Sequence, residues 1–423
     1  AACAGGTLEE YGAGWRRITA PGRLSGLAAD RALWVWGPGG LWSGDGRGRW
    51  TRRAPGPVRA AAALGGRVAW ASAGQVPVLR EGKRRVLPLP EGTTALAWEG
   101  PDLWALTAHG LRLSGGGVLP WRPVFPSLRV AAMAGGGDSL WLGLDDGRLL
   151  AHRHPPCASP WEGVRGSVRG RLAEPRGLAV SPEGWFAVAD TQNHRIQFFT
   201  LTGACLDARG SKGSGPGQFH EPSGLALAAD GTLAIADTWN GRVQLLDPDG
   251  SYRIVGKDLF GPRGVVWTPE GKLLVADTGN RRVLSAGPPD WKLGALAELD
   301  GPVVGLAVLG DELAAAVPQR GVVEILDLTT GSVRRTLKVP GWKGGAQQEG
   351  YLLRLGPHRL LASAPVPGEL WLLDPAGKRP PRRVASGLPS LTALALLPDG
   401  RVLGSETFAN RLVRIPLHGK RAP

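Results

Sequence analysis

Residues 174–199 read EPRGLAVSPEGWFAVADTQNHRIQFF, residues 221–246 read EPSGLALAADGTLAIADTWNGRVQLL, and residues 261–283 read GPRGVVWTPEGKLLVADTGNRRV. One sentence is written three times. Gly177, Gly224 and Gly264 lie 47 and 40 residues apart, and Asp190, Asp237 and Asp277 keep the same intervals. A period of about 40 to 50 residues assigns one supersecondary unit to each copy.

Within a copy, a short apolar run (GLAV, GLAL or GVVW) meets Glu183-Gly184, Asp230-Gly231 or Glu270-Gly271. A second apolar run follows, so the pair reads as a β-hairpin. That run ends in Ala-Asp-Thr-x-Asn-x-Arg, where Asp and Asn bond nearby backbone and tolerate a tight turn before a third strand. A fourth strand is expected before the next copy, and four-stranded sheets at this period are propeller blades. Pro-x-Gly, the hairpin, the Asp-Thr-x-Asn-x-Arg turn and the linker GSGPGQFHEPSG (213–224) resemble NHL repeats. The resemblance implies an all-β fold, a β-propeller, used mostly for binding and sometimes for catalysis. It is specific over 174–283, and LTALALLPDGRVLGSETFANRLVRI near the C-terminus repeats the unit with Glu406 in place of Asp.

The second strand can be followed outward through ALWVWG, RVAWAS, DLWALT, SLWLGL, WFAVAD, TLAIAD, KLLVAD, ELAAAV, RLLASA and RVLGSE. These ten strands predict one ring of about ten blades, residues 13–423, with divergent Trp-rich blades at 23–173 and NHL-like blades at 174–423. Residues 1–12 are expected to be an anchor or tether. The last repeat stops after its third strand, so an outer strand near GWRRITAPG (14–22) is expected to complete it and close the ring. The rival arrangement is a four-blade ring followed by a six-blade ring, since ten exceeds the usual four to eight. Trp34, Trp36, Trp70, Trp104 and Trp141 on or beside the early second strands are expected to fill the space between sheets.

The only methionine is Met133, and the chain opens Ala1-Ala2-Cys3-Ala4-Gly5-Gly6. That start resembles the processed end of a bacterial lipoprotein signal, in which the enzyme cuts before a cysteine that is then acylated, although two alanines precede Cys3. The resemblance makes Cys3 a lipidation candidate and implies an exported protein, periplasmic or at the cell surface; cleavage after small residues by an ordinary signal peptidase and a cloning remnant are the alternatives. Cys157 and Cys205 lie about one repeat apart, on neighbouring blades, where a disulfide is feasible in an exported protein; two unpaired thiols are the alternative. No apolar run is long enough to span a bilayer.

The chain carries a net charge of +14, with 22 Lys and Arg against 12 Asp and Glu before residue 174 and 28 against 24 from there on. Arg47, Arg49, Arg52, Arg53, Arg80, Lys83, Arg84 and Arg85 fall on expected outer strands or loops of the first two blades. They read either as a basic wall for an acidic polysaccharide, an anionic membrane surface or an acidic protein, or as a solvated rim. Asp190, Asp237 and Asp277, with Asn193, Asn240 and Asn280, could offer hard oxygen ligands to a metal, as in six-bladed lactonases and lyases. With Arg195, Arg242 and Arg282 they read instead as a turn lock inside each blade, because a repeated residue serves every blade while a site converges at one point. The run His152 to Cys157 lacks a second ligand cluster and reads as a connector. No Gly-x-Ser-x-Gly, His-Glu-x-x-His or Cys-x-x-Cys-His motif occurs, so no catalytic residue, metal or cofactor is nominated. The expected role is a non-enzymatic scaffold binding protein partners in a cell-envelope assembly. A metal-dependent lactonase or lyase is the alternative, and nucleic-acid binding through a basic face is disfavoured by export.

Overall fold

In the computed structural model, residues 157–342 and 349–417 are described without a break, and 1–156 chiefly through strands and their flanks. The chain forms two compact units, 1–155 and 156–423. All ten strands traced in the sequence are second strands of antiparallel sheets, from Leu33–Gly37 to Val402–Glu406.

In the first unit, four-stranded sheets begin at Gly26–Ala29, Ala60–Leu64 and Ala95–Glu99, and a three-stranded sheet begins at Val130–Gly136. Trp36, Trp70 and Trp104 are buried between sheets, as their repetition suggests, whereas Trp141 is half exposed. Trp104 satisfies its indole nitrogen on Glu99 Oε2 at 3.0 Å.

Among its described residues the second unit contains six sheets, whose innermost strands are Pro175–Ser181, Pro222–Leu227, Val265–Trp267, Leu306–Leu309, Leu352–Gly356 and Leu391–Leu396. Their second strands are built from Ala, Val and Leu and are almost wholly buried, which lets adjacent sheets pack face to face. The Thr of the first two Asp-Thr turns reaches the next sheet: Thr191 Oγ1 donates to Pro222 O at 2.8 Å and Thr238 Oγ1 to Pro262 O at 3.0 Å, whereas Thr278 Oγ1 turns back to Ala276 O of its own strand. Thr407 Oγ1 of the sixth sheet makes the same bond to Pro175 O of the first, at 2.8 Å, and Ser405 Oγ donates to Arg176 O at 2.7 Å. The ring therefore closes on itself within 156–423.

This corrects the expectation of a single ring of about ten blades over 13–423, because the first sheet's inner edge is occupied by the sixth sheet. The closing element is also different. The strand Arg16–Thr19 pairs with Thr7–Glu10, and Ala2–Cys3 pairs with the other edge of that strand, so residues expected to form a tether are sheet residues. The edge of the sixth sheet is instead met by the entry segment of its own unit. Leu412 N donates to Pro160 O at 3.0 Å, and the Arg414 guanidinium lies over the Trp161 ring at 4.2 Å. Cys157 and Cys205 form a disulfide with Cα atoms 5.9 Å apart, which ties that segment to the outermost strand of the first sheet, Cys205–Arg209.

Glycine of the Pro-x-Gly step is required by the close approach of inner strands. A Cβ on Gly177 would lie 2.0 Å from Ser223 O, and one on Gly224 the same distance from Arg263 O. Each inner strand thus begins against its neighbour's backbone, and the residue before the glycine is delivered to the mouth of the ring.

Candidate functional site at the mouth of the second unit

The repeated Asp, Asn and Arg lie inside individual sheets. Asp190, fully buried, accepts from Ala173 N and Arg195 Nε at 2.7 Å and from Asn193 Nδ2 and Gln197 Nε2 at 2.9 Å. Arg195 passes the grip to the entry segment through Ser167 O at 2.7 Å, and Asn193 does so through Gly166 O at 2.8 Å. Asp237, Asn240 and Arg242 repeat this around the linker 213–218, with Arg242 Nε on Asp237 at 2.7 Å. Asp277, Asn280 and Arg282 form the third copy. Burial pushes the Asp190 carboxyl up, against the pull of the Arg195 charge and the surrounding donors. The oxygens of Asp190 and Asp237 are spent on donors of their own sheets, so these residues hold blades rather than present ligands.

The mouth is lined by residues that do not repeat. Arg176 stands before Gly177 and Arg263 before Gly264, while the matching positions in the second and fourth sheets are Ser223 and Val304. Both arginines donate through Nη1 to the same oxygen, Oε1 of Glu349. Beside them opens a cavity of about 570 Å³ that also touches Thr278, Gln319, Val366, Ser390, Thr392, Thr407 and Phe408. Tyr351 is 8% exposed in the packed core with Val304; among the described residues its Oη has no hydrogen-bond partner, and nor does the buried Nε of Arg176. Burial pushes the Tyr351 hydroxyl up against the pull of Arg263 and Arg176, so it stays a neutral donor. Burial pushes the Arg263 guanidinium down.

Around this mouth stand exposed apolar side chains: Trp239 at 53%, Phe260 at 61%, Val366 at 67% and Phe408 at 72%. Three of them occupy the turn between second and third strands, and Phe260 occupies the loop entering an inner strand. Both connections lie at the same end of a sheet, as Gly279 N to Phe260 O (2.8 Å) and Trp239 N to His220 O (3.1 Å) show.

None of the mouth residues was nominated from the sequence. The available signal was the variable residue of Pro-x-Gly, which changes from Arg176 to Ser223 to Arg263 within otherwise constant text. Of the expected basic wall, Arg52 and Arg53 lie exposed on the outer strand Trp50–Pro55. Arg80 ends the strand Gln75–Arg80, and Lys83, Arg84 and Arg85 open the strand Lys83–Pro88 paired with it. Arg52 and Arg84 lie over the rings of Trp42 and Trp70, each at 5.9 Å, while Arg47 and Arg49 lie outside the described residues. Cys3 ends the two-residue strand Ala2–Cys3.

A closed ring of five four-stranded antiparallel sheets and one three-stranded sheet, with glycine at the start of four of the inner strands and Thr staples between neighbours, defines the second unit as a β-propeller. Two of its repeats match the NHL repeat model, over residues 172–199 and 219–244. No curated protein sequence matches the chain. Among solved structures, a catalytically inactive virginiamycin B lyase from Staphylococcus aureus with quinupristin is similar at 14% identity and TM-score 0.37, covering 72% of this chain and 91% of that one. A nidogen/laminin complex is similar at 17% identity and TM-score 0.42, covering 62% and 92%. Hydrazine synthase of Kuenenia stuttgartiensis is similar at 13% identity and TM-score 0.44, covering 60% and 97%.

Proposed function

We propose that the chain is a non-enzymatic, exported β-propeller that binds a protein partner through the mouth face of its second unit, as a scaffold subunit of a cell-envelope assembly. The observation that carries this reading is the ring of Trp239, Phe260, Val366 and Phe408. Four large apolar side chains, each more than half exposed, stand at one end of the propeller, three on turns of different sheets and Phe260 on the loop that enters another. Exposed apolar groups gathered at one face favour burial against another protein, and aromatic anchors dominate such contacts. The Cys157–Cys205 disulfide supports an oxidising compartment. Acylation at Cys3, and contact of the basic outer strands of the first unit with an acidic partner, belong to the same proposal.

Native protein extracted in detergent, with its N-terminus intact, is expected to co-purify with a partner that Phe260→Ala and Phe408→Ala variants fail to retain. Both side chains are exposed, so truncation leaves the fold intact. Retention of the partner by both variants, or a native protein that is alone and monodisperse, would overturn the reading.

A further inference from the structure

We propose that Arg176 and Arg263 form a carboxylate-binding site at the floor of the mouth. Glu349 fills it as an internal occupant, and a small ligand bearing a carboxylate next to an apolar group takes its place. The site does not depend on the partner protein proposed above.

Three observations carry this. First, the two guanidinium groups come from different sheets and converge on one oxygen. Arg176 lies on the strand Pro175–Ser181 and Arg263 just before Val265–Trp267, so the backbone that holds them is sheet-anchored. Glu349, by contrast, stands on irregular backbone before the strand Leu352–Gly356. Paired arginine forks match the planar geometry of a carboxylate.

Second, donors outnumber acceptors. The Nε of Arg176 and the Oη of Tyr351 are buried and have no partner among the described residues, although an unmade hydrogen bond at a buried polar atom is costly. Tyr351 is more than nine-tenths buried, and its hydroxyl is acted on by both arginine charges.

Third, among the described residues the cavity lining holds two cations, Arg176 and Arg263, against one anion, Glu349. Glu221, the other carboxylate that acts on Arg263, accepts the Trp239 indole at 2.8 Å and is absent from that lining. An added monoanion balances the floor, and the walls suit a ligand of mixed character. Gln319 offers an exposed amide, while Val366 and Phe408 offer apolar surface.

The test titrates the whole chain calorimetrically with phenylacetate, with its neutral isostere phenylacetamide, and with inorganic phosphate. Phenylacetate is expected to bind and phenylacetamide not to. Glu349→Gln removes the competing charge and is expected to tighten phenylacetate by about tenfold or more, and Arg263→Gln to weaken it by a similar factor, as for one charged hydrogen bond. Arg263→Lys keeps the charge and loses the fork, so it should fall between wild type and Arg263→Gln. If Arg263→Gln melts earlier than wild type, the Glu349→Gln gain and the Lys variant decide the matter. Equal binding of phenylacetamide, no gain in Glu349→Gln, or tighter binding of phosphate than of phenylacetate would each overturn the assignment. A partner retained by wild type but lost from Phe408→Ala, alongside failure of these titrations, separates the two proposals.

Discussion

Asp237→Ala removes the centre of the best-formed blade lock, and its cost can be worked from the bonds it breaks. The fully buried carboxylate accepts from His220 N at 2.8 Å, Arg242 Nε at 2.7 Å, Asn240 Nδ2 at 2.9 Å and Gln244 Nε2 at 3.0 Å. Arg242 is itself 7% exposed and keeps only carbonyl acceptors, Ser214 O, Gly215 O and Gln218 O, after the change. Breaking a buried ion pair from one side costs about 3–5 kcal/mol, because the remaining charge is left uncompensated. Asp277→Ala is the internal control. Its partner Arg282 has 35% of its side chain exposed, and Leu284 stands where the second blade has Gln244, so water can take over more of the loss. About 2 kcal/mol is expected there. Equilibrium urea unfolding of the whole chain, followed by tryptophan fluorescence, should give a midpoint shift in the order Asp237→Ala above Asp277→Ala, at unchanged slope. Equal shifts, or an Asp237→Ala cost under about 1 kcal/mol, would mean that the lock is not what holds the linker 213–218 to its blade.

Two further outcomes are expected. The Cys157–Cys205 bond closes a span of 48 residues, and loop entropy alone assigns it about 4 kcal/mol; a reducing agent should therefore lower the urea midpoint of wild type and leave that of a Cys157→Ala/Cys205→Ala variant unchanged, and an unmoved wild type would refute it. Asp327 is held down to about 2 by the backbone N–H groups of Thr330 and Thr329, with Arg334 adding to them. A depressed carboxyl contributes stability that is present above its ordinary value and is lost as pH falls from about 3.8 toward about 2, so Asp327→Asn should flatten the acid limb of stability against pH. Asp190, pushed up by burial, has the opposite sign: its contribution is present below the ordinary carboxylate range and lost as pH rises, so it does not drive acid unfolding.

The sheets were legible because their determinants are local. Glu183-Gly184, Asp230-Gly231 and Glu270-Gly271 fix hairpins, and the second strands stand out as Ala- and Leu-rich runs even in the worn copies. The number of blades in a ring was not legible, because closure rests on bonds between residues more than two hundred positions apart. Thr407 to Pro175 is the same bond as Thr191 to Pro222, and no local pattern announces which proline the last threonine will find. The closing element was misread for a related reason. The Arg16–Thr19 strand has the composition of an outer strand, but Thr7–Glu10 lies nearer in sequence and pairs with it, while Pro160 meets the edge at Leu412. Arg52, Arg53 and Arg84 were placed on outer strands by sequence, yet whether they act together depends on a partner surface that no pattern records.

The division between constant and variable positions explains why the strongest sequence signal was a poor guide to the site. Six sheets bring six copies of every repeat position to the same radius, so a residue kept in each copy can do only what every blade needs. Asp, Asn and Arg of the turn meet that need by gripping the incoming linker, and Thr meets it by stapling neighbours. Positions nearest the axis are under a different demand: they face one another, and six identical arginines there would repel. Variation is thus the condition for chemistry at the mouth. Arg176 and Arg263 can share Glu349 because Ser223 and Val304 occupy the matching positions without charge, and because Tyr351 fills a place where four other sheets carry glycine. In a propeller the site is therefore sought where the repeat stops repeating, at the step whose backbone is most constrained and whose side chain is least.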